Sequence, residues 1–183
     1  MDVTAVTLAT QERVFLLDKF FPGEVLCNLH TICKGFTKES PHWTQPKGFN
    51  HSRWEYLGTE PEWIPVKEYL GSAELIDSLS QLVGKPVHLS NTGLWVIFNG
   101  VPKLRPHVEG AGEYVSQVFV TPATHDLHGT TFYTAEKNIL FQLPYRDNSG
   151  WLFHGQRVLH GRAVDVPEGV ARYSIMMWYN QNQ

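Results

Sequence analysis

The chain has 183 residues, 42% of them hydrophobic and 18% charged, with a formal net charge of −3. That length and composition suit one globular domain, 1–183, because two domains sharing this length would each have a small core. The slight negative charge offers no basic field for gathering phosphates, no apolar run is long enough to span a bilayer, and the N-terminal MDVTAVTLATQER has no positive stretch followed by a long apolar one. The expectation is a soluble, cytoplasmic protein whose partners include neither nucleic acid nor membrane.

In chain order, ERVFLLDKFF (12–21) has the apolar run and flanks of a strand. From Pro22 the apolar set Val25, Leu26, Leu29, Ile32 and Cys33 follows the helical period, and Gly35 is placed as its stop. Cys27 and Cys33 lie six apart on that helix, on different sides, so they read as small hydrophobes and not as a bridge. Residues 36–63 show no sustained period and are rich in Pro, Gly, Trp, His and Asn; an aperiodic stretch of that length predicts a lid or binding segment. A second helix follows Ser72, with Leu75, Ile76, Leu79, Leu82 and Val83 on one face and Gly84 at its end.

From residue 86 the pattern changes. VHLSN, GLWVIFNG, EYVSQVFVTP, GTTFYTA, NILFQLPY, SGWLFHG, RAVDVP and ARYSIMMWYN are short β-branched or aromatic runs between Gly, Pro, Asn and Asp. Helices in front and about eight strands behind predict an α+β, mainly β domain: residues 1–85 brace and cover, and 86–183 form a sandwich, jelly roll or small barrel.

Within this β region RPHVEG places His107 and Glu109 two apart, so on one strand both side chains share a face. His160, 53 residues after His107, supplies a third ligand type. Two imidazoles and a carboxylate make the facial triad of non-haem Fe(II) oxygenases, which leaves positions open for a bidentate cosubstrate and O₂. Twelve residues after His160, Arg172 and Ser174 alternate onto one face of the last strand pattern. A guanidinium inside an apolar strand is costly unless it meets an anion, and a carboxylate suits its fork.

The stretch from PHVEG through GTTFY and SGWLF to LHGRAVDVPEGVARYSI resembles the iron(II)- and 2-oxoglutarate-dependent oxygenase superfamily, in particular its prolyl-hydroxylase-like branch. The resemblance covers roughly residues 95–180 as an ordered pattern. It implies a double-stranded β-helix, or jelly-roll, core with N-terminal helices packed against it. It also implies iron ligation by His107, Glu109 and His160, and binding of the distal carboxylate of 2-oxoglutarate by Arg172 with help from Ser174. Most members carry Asp where this chain has Glu109, one methylene longer. The implied activity is a dioxygenase that uses Fe(II), 2-oxoglutarate and O₂ to hydroxylate an unactivated C–H bond of a small molecule, amino acid or peptidyl residue, with release of succinate and CO₂. Trp43, Asn50, Arg53, Trp54 and Trp151 are candidates for the substrate wall.

Three alternatives stand beside this. His125, Asp126 and His128 form a loop cluster but lack a fourth zinc ligand at a usual spacing. His154 competes with His160 as third ligand, though only His160 has an arginine at the expected offset; His30, His42, His51 and His88 read as structural. Glu113 would join His107 and Glu109 in a cupin's metal motif, and a barrel with these residues can also serve as a non-catalytic binding module.

Overall fold

The computed structural model describes residues 1–35, 43–44, 53–56, 61–98, 102–110, 112–121, 129–168 and 170–181, with the backbone alone at 43–44 and 53–56. The elements in chain order are β1 (Asp2–Thr7), β2 (Arg13–Asp18), α1 (Gly23–Gly35), β3 (Trp43–Thr44), β4 (Arg53–Tyr56), a 3-10 turn (Pro61–Trp63), α2 (Ile64–Leu70), α3 (Ala73–Val83), β5 (Val87–Phe98), β6 (Leu104–His107), β7 (Tyr114–Phe119), β8 (Thr131–Tyr133), β9 (Ile139–Gln142), β10 (Ser149–His154), β11 (His160–Arg162) and β12 (Ala171–Gln181).

The strands form two antiparallel sheets. The larger has the order β1-β2-β10-β7-β12-β5-β4-β3 and the smaller β6-β11-β8-β9. One face of the large sheet buries Val118, Leu152, Ile175, Met177 and Tyr179 against Leu29 of α1, Leu70 of α2 and Leu79 of α3. Its other face carries Val115, Trp151, Phe153, Met176 and Trp178, which pack with Phe132 and Phe141 of the small sheet. This is the double-stranded β-helix with helices bracing one side. β12 is an inner strand of the large sheet, covered by the helices on one face and by the small sheet on the other, so residues 174–179 are buried in unbroken succession. The polar-out alternation expected of a half-exposed strand is accordingly missing there.

Both anticipated helices are present, and the second has its expected ends. The Ser72 side chain accepts from the Leu75 N–H, and Gly84 closes α3 in the left-handed region at φ 76°. α2 falls between the 36–63 stretch and the helix after Ser72, where no element was expected; its Pro65 lies in the first turn, where a missing N–H costs nothing. β1 also went unread, since it is an edge strand with almost no buried residue. The 36–63 segment is not wholly aperiodic: β4 extends the large sheet by pairing with β5, and β3 pairs with β4.

VHLSN and GLWVIFNG prove to be one strand. The apparent turn at Ser90–Gly93 is absorbed by a bulge, where Trp178 faces Asn91 but Tyr179 faces Leu89. Ser90 Oγ and Thr92 Oγ1 donate to the carbonyls of Trp178 and Met176 at 2.9 and 3.0 Å, so polar residues strengthen the pairing they seemed to interrupt. RAVDVP is largely irregular; its strand ends at Arg162. None of the described helices is long and apolar enough to cross a membrane.

The contact of β10 with β7 depends on Gly150. A Cβ there would lie 1.9 Å from the Gln117 carbonyl oxygen, a backbone atom that cannot swing aside. Gly150→Ala is expected to lower stability by about 1–3 kcal/mol or more, read as a fall in the midpoint of chemical denaturation.

Candidate metal centre and anion pocket

The small sheet delivers two histidines side by side, because β6 and β11 pair with His107 directly opposite His160. Their rings lie 4.5 Å apart between centroids. Each ring is held in the same way. His107 Nδ1 lies 2.9 Å from the Arg105 carbonyl oxygen and His160 Nδ1 lies 3.2 Å from that of Val158, in both cases the carbonyl two residues back. A carbonyl only accepts, so Nδ1 carries the proton and Nε2 presents a lone pair.

Glu109 lies just past the end of β6, so strand parity is not what sets it in place. Its amide donates to the Gly155 carbonyl oxygen at 2.9 Å, which ties this residue to the turn after β10. Gly155 has no side chain to obstruct the approach: a Cβ there would come within 3.1 Å of the Glu109 Cβ. The result brings Glu109 Oε1 to 3.1 Å from His160 Nε2 and 3.8 Å from His107 Nε2. Among the described residues, His107, Glu109 and His160 are the one set of three His, Cys, Asp or Glu side chains whose ligand atoms converge, all within 4.8 Å of one another.

These residues fit a divalent ion. With Nδ1 committed to a carbonyl, a neutral His160 sets its Nε2 lone pair against the Glu109 carboxylate oxygen at 3.1 Å, an arrangement that a shared cation, a proton or a metal ion, makes attractive. Two ligands at a right angle, each about 2.1 Å from a shared ion, stand about 3.0 Å apart. Trp151 and Phe153 form the wall behind His160, with ring centroids 5.5 and 4.8 Å from it.

A second polar group lies in the same interior. Arg172, at the start of β12, is 5% exposed, and its guanidinium carbon stands 4.8 Å from the Phe119 ring centre and 5.6 Å from that of Tyr145. Its Nη2 makes a long 3.5 Å contact with Gln117 Oε1, and its Nε is buried with no partner among the described residues. Gln117 Nε2 donates to Ser174 Oγ at 2.9 Å, Thr130 Oγ1 donates to Gln117 Oε1 at 3.1 Å, and Trp151 Nε1 donates to Thr130 Oγ1 at 2.7 Å. Burial, with the charge of Arg162 adding to it, pushes the Arg172 guanidinium down to about 9. An arginine keeps its proton at such a site, so the guanidinium stays charged and an anion beside it would offset the cost of its burial.

Gln117 and Thr130 are the residues that sequence reasoning missed. A glutamine within the otherwise apolar run YVSQVFV was the available signal. Trp151 lies on β10, 1% exposed, with its N–H taken by Thr130. β4 register sets Arg53 opposite Ile97, which on its other side faces Arg172; Trp54 stands opposite Val96, and Trp43 pairs with Tyr56. Asn50, His42, His51, His125, Asp126 and His128 lie outside the described residues.

The competing ligands lie elsewhere. His154 Nε2 is 3.8 Å from Glu113 Oε1, and burial lowers the His154 pKa. Glu113 is also bonded by Gln181 and approached by Lys85, so it does not join the three converging ligands as a cupin motif would require. His30 pairs with Asp147 at 2.9 Å.

Replacing His160 by Ala is expected to abolish binding of one equivalent of Mn(II), followed by electron paramagnetic resonance of the free ion. Glu109→Gln should weaken it by about 100-fold or more, the scale of removing one charged partner from a buried cluster.

No family model matches the chain, and no curated protein matches it. Solved structures do. A prolyl hydroxylase from Trichoplax adhaerens, in complex with a hypoxia inducible factor oxygen degradation domain peptide fragment, superposes with TM-score 0.67 at 14% identity over 91% of this chain and 82% of that one. A prolyl-4-hydroxylase from Pseudomonas putida gives 0.64 at 12% identity over 93% of both chains. HygX from Streptomyces hygroscopicus, with nickel and 2-oxoglutarate bound, gives 0.65 at 11% identity over 92% of this chain and 83% of that one. The chain therefore has the double-stranded β-helix fold of the prolyl-hydroxylase-like 2-oxoglutarate oxygenases.

Proposed function

We propose that this protein is an Fe(II)- and 2-oxoglutarate-dependent dioxygenase that hydroxylates a C–H bond of a small-molecule, amino-acid or peptidyl substrate. The observation that carries the reading is the pairing, within one barrel interior, of a converging His107–Glu109–His160 set with a buried Arg172 that meets no carboxylate among the described residues. A metal centre alone would leave Arg172 without a purpose. A dicarboxylate keto acid needs both ends, one to chelate a metal and one to meet a guanidinium.

Iron and 2-oxoglutarate supply the oxidising chemistry when bound: O₂ is reduced as the keto acid is split to succinate and CO₂ and the substrate C–H becomes C–OH. The protein supplies orientation. His107 and His160 would hold the metal through Nε2, with both rings aligned in advance by the Arg105 and Val158 carbonyls. Glu109 would give the third ligand and one negative charge. Arg172, braced by the Phe119 and Tyr145 rings, would take the distal carboxylate, with Gln117 and Ser174 filling out its polar surroundings. Trp151 and Phe153 exclude water behind His160.

The two histidines differ in exposure, 37% for the His107 side chain against 5% for His160. Substrate would therefore approach from the His107 side, past the exposed Val108. The solved structures of the same fold, one holding a peptide fragment and one holding nickel and 2-oxoglutarate, support a substrate placed over a metal and keto acid.

The test is an anaerobic titration of the protein with Fe(II) and then 2-oxoglutarate, watched in the visible range for the charge-transfer band of a metal-chelated keto acid. The band should form at one equivalent and be lost in His160→Ala. Arg172→Ala should keep metal affinity while weakening 2-oxoglutarate by at least about 30-fold, the lower end for truncating one partner of a buried charge pair. Stoichiometric metal with no band in the unaltered protein would refute the assignment.

A further inference from the structure

The helix-covered face of the large sheet holds a cavity, on the side away from the metal ligands and Arg172. Its volume is about 140 Å³, and it lies where β2 and β7 begin, β10 ends and α3 closes. Strand parity builds its wall. Phe15 and Leu152 pair across β2 and β10 and belong to the helix-side core, so Arg13 and His154, each two residues away along its strand, reach the same side. His154 stands opposite Tyr114 of β7, which packs on that core as well. Phe15, with Leu82 and Val83 from the last turn of α3, gives the cavity an apolar floor.

The rim above that floor carries an excess of positive charge. Arg13 holds its guanidinium carbon 4.6 Å from the Phe15 ring centre and makes no ion pair among the described residues. Arg157 meets Glu12 at 3.4 Å, one long contact made by a side chain 62% exposed. Two guanidiniums face one carboxylate across the lining. Burial lowers the His154 pKa, so its imidazole is neutral at pH 7 and leaves that balance unchanged. Glu113, behind His154, is matched by Lys85 at 3.6 Å and bonded by Gln181.

We propose that this cavity is a second binding site, which takes a small carboxylate with a ring or branched apolar tail. The tail lies on Phe15, Leu82 and Val83, and the carboxylate meets Arg13 and Arg157 at the rim. The space sets the size, since a cavity of about 150 Å³ holds a benzene-sized guest. The rim sets the sign, because a guanidinium fork bonds a carboxylate more strongly than it bonds a neutral oxygen. The proposal is independent of the dioxygenase reading, because no residue of this cavity belongs to the metal centre or to the surroundings of Arg172.

The experiment is calorimetric titration of the Mn(II)-loaded protein with benzoate and, separately, with benzyl alcohol, a guest of similar shape without the charge. Benzoate should bind with a Kd of about 1 mM or tighter, a modest yield for so small a ligand, and benzyl alcohol at least about tenfold more weakly. Arg13→Gln and Arg157→Gln, both at exposed positions where folding is not at stake, should each weaken benzoate by about fivefold or more. Leu82→Trp, which fills the floor, should remove binding of both probes. Arg172→Met should leave benzoate affinity within about twofold, which separates this site from the anion end of the barrel. No heat with benzoate, equal affinity for the two probes, or benzoate binding that survives both arginine changes would each overturn the proposal. Loss of benzoate binding in Arg172→Met alone would overturn it too, by moving the carboxylate to the barrel interior.

Discussion

The bond from the Glu109 amide to the Gly155 carbonyl carries more of this structure than its 2.9 Å suggests. It is the first of three linked backbone bonds. Gly155 N–H donates in turn to the Glu113 carbonyl, and Glu113 N–H donates to that of Tyr179 on β12. A carboxylate just past the end of a four-residue strand in the small sheet is thereby referenced to the central strand of the large one. The histidines need no such device, since antiparallel pairing already sets them opposite each other. Glu109 does, and the absence of a side chain at Gly155 is what admits it. The longer reach of Glu compared with Asp is accommodated here, because its Oε1 arrives 3.1 Å from His160 Nε2.

The interior is organised by charge as well as by shape. The Glu109 carboxylate converging with His107 and His160 is a donor set suited to a cation; Arg172 is a buried guanidinium, which is suited to an anion. The surrounding layer of Trp151, Phe153, Phe132 and Met176 keeps the dielectric low, so both demands are felt strongly. A molecule with a chelating group at one end and a carboxylate at the other satisfies both. The bonded run from Trp151 through Thr130 and Gln117 to Ser174 joins the wall behind His160 to the surroundings of Arg172, so that these polar atoms are satisfied within the interior.

Much of this was legible from residue order. The helix after Ser72 declared both of its ends, and His107, Glu109, His160, Arg172 and Ser174 stood out because polar residues in strand patterns need a reason. What stayed hidden depended on long-range partners. Asn91 and Gly93 read as a turn because a bulge against Trp178 and Tyr179 leaves no local mark. β1 has no buried face to produce alternation, and α2 begins among prolines that local rules count as breakers. Trp151 seemed suited to a substrate wall, yet its indole N–H is already taken inside the core.

The most direct test of the central claim, that one barrel interior holds a metal at one end and a dicarboxylate at the other, is a crystal structure of the protein with Mn(II) and 2-oxoglutarate, the metal located by its anomalous scattering. The account predicts one Mn(II) bound by His107 Nε2, a Glu109 oxygen and His160 Nε2, with the keto acid on the same ion and its far carboxylate on Arg172. A metal held instead by Glu113 and His154, or a keto acid whose distal carboxylate avoids Arg172, would contradict it.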